Sequence, residues 1–436
     1  MRDAGRIAAA VGVLDDMDAR HKPVRLALKA WGDASRYAGS KDRAFVSGLV
    51  LDVLRHRNTL AWRMGRDSAR ALVLGALGFL WAWPLARIAE AVDEPPHGLG
   101  ALTSDEIAAL GAAPPETPAP WIAGDYPDWL DPHLARVFGE DRSAEGHALA
   151  SRASIDLRVN TLKTDPERAL KALEPLGAEP AGLIAAALRI APPGATDKAP
   201  PVEAIPEFGK GWFEVQDLGS QIAAAAAGAI KGKQALDYCA GGGGKTLALA
   251  AAMGNSGQLY AYDADARRLA DTVRRTERAG VRNLQVRTPL RPDALVGLEG
   301  RMELVFVDAP CTGSGTWRRH PDAKWRLTPA QLERRMAEQD AVLAGAAPFV
   351  KPGGRLVYVT CSLLLEENED RLAAFLAGRP DFAQIPVLPQ IEASGALAEG
   401  AAAILAPHQT PAGALRLTPR GVGSDGFFVA VLARSA

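Results

Sequence analysis

The sequence predicts a multidomain chain: an α-helical N-terminal domain, a small α+β module and a C-terminal doubly wound α/β domain. Three observations carry that reading. From about residue 211 onward, short apolar strand-like runs alternate with longer helical runs. Four of those runs close on or beside Cys239, Asp263, Asp308 and Cys361. Ligand sites of such sheets lie beyond the carboxyl ends of the strands. Residues 1–90, by contrast, show helical periodicity without strand-like alternation.

In residues 1–90 the segment DRAFVSGLVLDVLRHR places Phe45, Leu49 and Val53 on one helical face, flanked by Val46, Val50 and Leu54. Ser40 or Asp42 is the candidate cap. Residues 91–120 are rich in Pro, Gly and Ala and read as a linker with one short helical run, Ser104–Leu110. Residues 121–210 hold a strand-like LRVNTL (157–162) and a helix-like Glu167–Leu176 stopped by Gly177, hence the small α+β module. Residues 211–436 predict, in order, strand 235–239, a Gly cluster, a helix from Lys245, strand 258–263, helix 265–279 and strand 283–286. Strand 303–308, a helix at about 329–347, strand 355–361, helix 366–377 and strand 426–434 complete the series.

With 436 residues, 48% of them hydrophobic, the chain builds more than one core. The net charge of −1 gives no global sign of a polyanionic partner. Residues 1–90 alone, however, hold 15 Lys+Arg against 9 Asp+Glu. That excess suits a nucleic-acid contact, or a solvated helical surface. Three cysteines without paired spacing point to a reducing compartment and to neither a disulfide scaffold nor zinc. The N-terminus lacks the pattern of a signal peptide. The apolar stretch Ala71–Ala86 contains Pro84 and falls short of the ~18 apolar residues of a membrane helix. The expectation is a cytoplasmic monomer with no membrane span and no metal.

The run Cys239-Ala240-Gly241-Gly242-Gly243-Gly244-Lys245-Thr246 is not a P-loop, because the required first Gly is Cys239. It is not a dinucleotide fingerprint either, because Thr246 stands where the third Gly belongs. What remains is a strand, a tight turn and a helix start, where backbone approaches a ligand closely. Asp263, at the end of the next strand, suits ribose hydroxyls; its bland alternative is a cap for helix 265–279. Both NAD and S-adenosylmethionine offer a ribose. Cys311 and Cys361 follow two strands of the same sheet, beside Asp308. A thiolate attacks electron-poor rings. Cytosine carbon 5 becomes nucleophilic once a thiolate adds at carbon 6, and it then takes a methyl group from a sulfonium. An acid or hydrogen bond at N3 accepts the developing charge, which Asp308 supplies if held protonated or hydrogen-bonded, and a second thiol helps remove the carbon-5 proton. Two cysteines and one carboxylate at one sheet edge match that chemistry.

Three segments together resemble the RNA cytosine-C5 methyltransferases of the NOL/NOP2/Sun type: LDYCAGGGGKT (236–246), VDAPCTGSGTWRRHPDAKW (307–325) and VTCSLLLEENE (359–369). SIDLRVNTLK (154–163), VQDLGSQ (215–221) and DGFFVAVL (425–432) are similar to further family segments. RYAGSKDRAFVSGLVLDVLR (36–55) resembles the NusB-like domain of bacterial 16S rRNA members. The resemblance implies a Rossmann-like class I methyltransferase domain over 211–436, S-adenosylmethionine as cofactor and RNA as partner. It implies Cys361 as the nucleophile, Cys311 as the aid to product release, and Asp308 as a ligand of both base and cofactor. Cys239, Ala240, Gly241, Gly242, Gly243, Gly244, Lys245 and Asp263 would hold the cofactor. Ribosomal RNA is favoured through the N-terminal domain; tRNA, or a non-catalytic RNA-binding assembly factor with a decayed cofactor loop, are the alternatives.

The chain departs from the family pattern in two places. The usual loop is Cys-Ala-Ala-Pro-Gly-Gly-Lys, and the glycines here predict a looser one. The third strand ends in Val286-Arg287-Thr288-Pro289 without its usual acid, leaving adenine to backbone or to Thr288. Arg318, Arg319, Lys324 and Arg326, interleaved with Trp317 and Trp325, read as RNA contacts, or as a solvated loop with packed tryptophans. Glu366, Glu367 and Glu369 read as a charge preference at a helix start.

Overall fold

Helical periodicity governs the first part of the chain in the computed structural model, which describes residues 1–114 and 116–436. Two units form. One comprises Met1–Arg152 with Pro192–Pro200 and Trp317–Leu327; the other comprises Ala153–Ala191, Pro201–Thr316 and Thr328–Ala436. Where the sequence suggests boundaries near 90, 120 and 210, the Pro-rich stretch and residues up to Arg152 group with the helical unit.

In the helical unit, helices Asp3–Arg20, Ser40–Arg55, Ala69–Gly75 and Leu85–Asp93 surround a core that includes Ile7, Val46, Leu49, Val50 and Val53. All six apolar residues expected from helix 40–55 are buried, and each such Leu or Val contributes about 1.5–3 kcal/mol. Asp42, rather than Ser40, closes the helix start: its Oδ2 accepts the Gly39 N–H at 2.9 Å. Residues 71–77 are buried, and among the described residues no helix is long and apolar enough to cross a membrane. Much of the basic excess is spent on ion pairs. Arg57 bridges Asp18 and Asp67, while Arg2, Arg66 and Arg70 meet Glu94, Asp105 and Glu106, acids from beyond residue 90.

Residues 317–327 are part of this helical unit, and the reason is local. Helix 40–55 breaks at His56, so its last carbonyls lose their partners one turn on. The Thr59 N–H, four residues after Arg55, bonds Asp125 Oδ1 at 2.9 Å instead. Lys324 Nζ takes the Arg55 carbonyl at 2.8 Å and Trp325 Nε1 takes that of Leu54 at 2.7 Å. Arg55 in turn donates to the Arg318 carbonyl at 3.2 Å. A cation at a helix C-terminus also meets the negative end of its dipole. Burial pushes the Lys324 ammonium down to about 8, against the pull of Asp125. This corrects the RNA-contact expectation for two residues. Lys324 is 1% exposed and Arg318 4% exposed, and an ammonium spent on a buried carbonyl is not presented to phosphate. Arg319 is half-buried, and Arg326 is exposed and paired with Asp322 at 2.9 Å.

The second unit carries two sheets. Strands β1 (Ile155–Val159), β2 (Ala178–Pro180), β3 (Ala187–Ile190) and β4 (Phe213–Val215) pair antiparallel in the order β2-β3-β1-β4. The large sheet contains β5 (Gln234–Asp237), β6 (Gln258–Tyr262), β7 (Leu284–Arg287), β8 (Met302–Asp308), β9 (Val350–Thr360), β10 (Phe382–Ile385), β11 (Leu415–Leu417) and β12 (Phe427–Arg434). Its order is β10-β12-β9-β8-β5-β6-β7, with β11 on β12. Strands β5 to β9 run parallel; β10, β11 and β12 enter antiparallel, which makes the sheet mixed. Chain order reverses between β8 and β5, so the crevice of the switch point opens above them.

Candidate active site

The glycine loop follows β5. The Tyr238 N–H still reaches the Phe306 carbonyl at 2.8 Å, and the chain then turns into helix Gly244–Met253. Gly243 has φ 83°, and a Cβ there would lie 2.9 Å from Thr272 Oγ1, so only glycine fits. The loop is fastened from several sides. Gly241 N–H donates to Asp263 Oδ2 at 2.9 Å, Thr272 Oγ1 donates to Gly241 O at 3.0 Å, and Arg275 donates to Gly242 O at 2.5 Å. The extra glycines, expected to loosen the loop, sit in a turn held by the helix Ala266–Ala279.

Asp263 is buried beside β6. Its Oδ1 accepts the Asp265 N–H at 2.8 Å, and Arg268 stands 3.3 Å from Oδ2. The cap of the following helix is Asp265, which accepts the Arg267 N–H at 3.0 Å, so the bland reading of Asp263 belongs to its neighbour. Asp237, unremarked in the sequence, ends β5 fully buried. Thr246 Oγ1 donates to its Oδ2 at 2.6 Å, and Oδ1 has no partner among the described residues. Burial, helped by the charge of Asp308, raises its carboxyl to about 7. Asp308 ends β8 and accepts from Lys245 Nζ at 2.7 Å. Burial works against the Lys245 ammonium, but the charge and hydrogen bond of Asp308 outweigh it and hold Lys245 above its usual range. Burial and the three acids push the Cys239 thiol far up, so it stays protonated. Three carboxylates on three neighbouring strand ends suit a ligand rich in donors and positive charge. S-adenosylmethionine, with ribose hydroxyls, an ammonium and a sulfonium, is such a ligand.

The two remaining cysteines meet at the end of β9. Register places Asp308 beside Val359, and the Ala309 N–H extends that ladder to the Val359 carbonyl at 2.8 Å. Gly315 N–H donates to the Cys361 carbonyl at 2.9 Å, folding loop 311–316 back over the strand end. A Cβ on Gly315 would lie 2.2 Å from the Gly426 carbonyl, so only a glycine allows that approach. The result is a Cys311–Cys361 Sγ–Sγ distance of 3.3 Å. The hydrogen bond to Cys361, then burial, then the charges of Cys361 and Glu367 push the Cys311 thiol far up. Glu367 is a correction to the sequence reading. It is fully buried and accepts the Thr312 N–H at 2.8 Å, whereas Glu369 opens the helix Glu369–Gly378 as expected of an acid in a first turn.

The family described as 16S rRNA methyltransferase RsmB/F matches residues 228–433. A probable ribosomal RNA small subunit methyltransferase B from Synechocystis sp. is 32% identical over 322 residues, covering 71% of this chain and 67% of that protein. A ribosomal RNA small subunit methyltransferase B from Erwinia tasmaniensis is 30% identical over 430 residues, covering 92% of each. The chain belongs to the RsmB/F family of 16S rRNA methyltransferases. Among solved structures, a methyltransferase homolog protein from Pyrococcus horikoshii aligns with TM-score 0.57 at 26% identity, over 72% of this chain and 97% of that one. NSun6 from Pyrococcus horikoshii, solved with SFG, shares the fold with TM-score 0.58 at 20% identity, over 71% of this chain and 98% of that one. The RsmB/F methyltransferase thus has the Rossmann-like fold of S-adenosylmethionine-dependent enzymes, and S-adenosylmethionine is its cofactor.

Proposed function

We propose that this RsmB/F chain methylates carbon 5 of a cytosine in 16S rRNA through a covalent adduct between Cys361 and carbon 6. The observation that carries the reading is the 3.3 Å approach of Cys311 and Cys361 beside the Lys245–Asp308 pair. Bound S-adenosylmethionine supplies an electrophilic methyl group at its sulfonium. Gly241–Gly244, Asp263 and Asp237 are suited to its backbone contacts, hydroxyls and ammonium.

The protein's own residues then divide the work. Cys361 adds as a thiolate to carbon 6, with Lys245 as the nearby cation that its charge feels. The electron pair moves through carbon 5 to N3, which Asp308 serves only by passing on a proton taken from Lys245 Nζ, its donor at 2.7 Å; that proton returns when the ring is restored. Methylation at carbon 5 leaves a proton to be removed. Cys311 keeps its own proton while Cys361 is charged beside it. Once the Cys361 sulfur is bonded to carbon, that charge and that hydrogen bond are gone. Cys311 then ionises more readily, takes the carbon-5 proton and drives β-elimination, which returns Cys361 as thiolate. Nothing enters but the methyl group, and nothing leaves but the proton. The fastened glycine loop weighs against a decayed cofactor site.

The test uses the purified chain, tritiated S-adenosylmethionine and unmodified 16S rRNA. Nucleoside digestion should place the label in 5-methylcytidine, with none transferred by Cys361→Ala. Label in any other nucleoside overturns the reading.

A further inference from the structure

Glu367 is fully buried, and every hydrogen bond of its carboxylate leads to the loop that carries Cys311. Its Oε1 accepts the Thr312 N–H at 2.8 Å, and its Oε2 accepts Thr312 Oγ1–H at 2.5 Å. Gln339 Nε2 donates to Oε1 at 3.0 Å and also to the Pro310 carbonyl at 2.9 Å. The residues on either side of Cys311 therefore hang from one carboxylate and one carboxamide.

The same network is rooted in the strand end that carries Cys361. Tyr358 Oη donates to the Glu367 carbonyl at 2.7 Å. Asn368 accepts from Thr360 Oγ1 at 2.6 Å and donates to the Ser362 carbonyl at 2.9 Å. Ser314 Oγ lies 3.1 Å from Ser362 Oγ and accepts the Leu363 N–H at 2.8 Å. Glu367 thus fixes one thiol relative to the other. A buried carboxylate is costly unless donors satisfy it, and here the donors come from Thr312 and Gln339. A glutamine keeps one oxygen for the Thr312 N–H and Gln339, but it removes the charge and obliges the Thr312 hydroxyl to turn from donor to acceptor.

We propose that Glu367 is a positioning residue for the proton-transfer half of the reaction: it holds Cys311 where it takes the carbon-5 proton and so releases Cys361. The proposal rests on the covalent reading above. The charge of Glu367 also raises the Cys311 thiol and, unlike that of Cys361, remains once the adduct has formed, so the help Glu367 gives is positional.

The experiment uses the full-length chain, unmodified 16S rRNA and tritiated S-adenosylmethionine, and follows turnover, the denaturant-resistant protein–RNA adduct and the decay of that adduct. Glu367→Gln should lower turnover by at least about 10-fold, part of the roughly 10²–10⁴ that a positioned proton-transfer group supplies. Adduct should still form, and its trapped fraction should rise. In Cys311→Ala/Glu367→Gln the adduct should decay no more slowly than in Cys311→Ala alone, because Glu367 acts through Cys311. Thr312→Val, which removes one bond to Glu367 from a half-buried position, should show the same pattern more weakly and carries the test if Glu367→Gln does not fold. A Glu367→Gln protein that binds S-adenosylmethionine normally yet forms no adduct overturns the proposal, as do multiplying effects in the double variant. If neither wild type nor Cys311→Ala traps an adduct while methyl transfer proceeds, the covalent reading itself has failed.

Discussion

Lys245 Nζ donates to Asp308 Oδ2 at 2.7 Å, joining the helix after the glycine loop to the acid that ends β8. Lys245→Met would leave Asp308 without its cation. Single-turnover methyl transfer should slow roughly 10- to 100-fold, the rate equivalent of about 1.5–3 kcal/mol for a charge-assisted hydrogen bond. Lys245→Arg should recover part of the rate. Equal rates for Met and wild type would mean the pair only braces the fold.

The two thiols should separate in a trapping assay. Cys361→Ala should abolish methyl transfer and give no denaturant-resistant protein–RNA band. Cys311→Ala should form the band and resolve it slowly. The opposite pattern reverses the assignment.

Asp263 holds the Gly241 N–H and is the expected ribose ligand. Asp263→Ala should weaken S-adenosylmethionine binding by roughly 1.5–3 kcal/mol in calorimetry. Asp263→Asn, which retains an acceptor for Gly241, should lose less. Unchanged affinity in a folded Ala variant would confine Asp263 to bracing the loop.

Asp237 gives stability a pH dependence of definite sign. Its carboxyl titrates at about 7 in the folded chain, against about 4 when unfolded, so the folded state binds more protons between those values. The contribution is full below about 4 and is lost as pH rises through about 7. Melting temperatures without cofactor should therefore fall across that window, and less steeply for Asp237→Asn. Parallel curves for the two proteins would remove Asp237 as the cause.

The segment 317–327 limits how the chain can be cut. A fragment beginning at Ala153 keeps Trp317, Lys324 and Trp325 but removes Leu54 and Arg55, whose carbonyls the last two fill. Trypsin should spare Arg318 and Lys324 in the full chain and cleave there readily in the fragment. Equal resistance would show that the segment needs no partner.

The strands from β5 to β9 were legible along the chain because each is a short apolar run bounded by glycine or acid, and most of their boundaries shift only slightly in the structure, whereas their order in the sheet was not read. Strand β9 starts earlier than expected, at Val350, since Pro352-Gly353-Gly354 reads as a turn although the pairing begins before it. Short β10 and β11 escaped notice because three or four residues carry no measurable period. In the site, residues at strand ends were legible and residues serving them were not. Glu367 sits among acids that suit any helix start, and only the tertiary approach of Thr312 gives it an inward task. Asp237 left a fainter signal, an acid inside the apolar run ALDY. Lys324 and Arg318 misled because a cationic, aromatic loop has one composition whether it faces a polyanion or seals a helix end.

The assignment of Trp317–Leu327 to the helical unit also has a temporal side. At about 5–20 residues per second, the ribosome finishes Leu327 roughly 10–35 s after Arg152. Through that interval the nascent N-terminal helices present the Leu54 and Arg55 carbonyls unfilled by Trp325 and Lys324. The first unit to emerge is therefore completed only after most of the second has been made, and its maturation is a late event in synthesis.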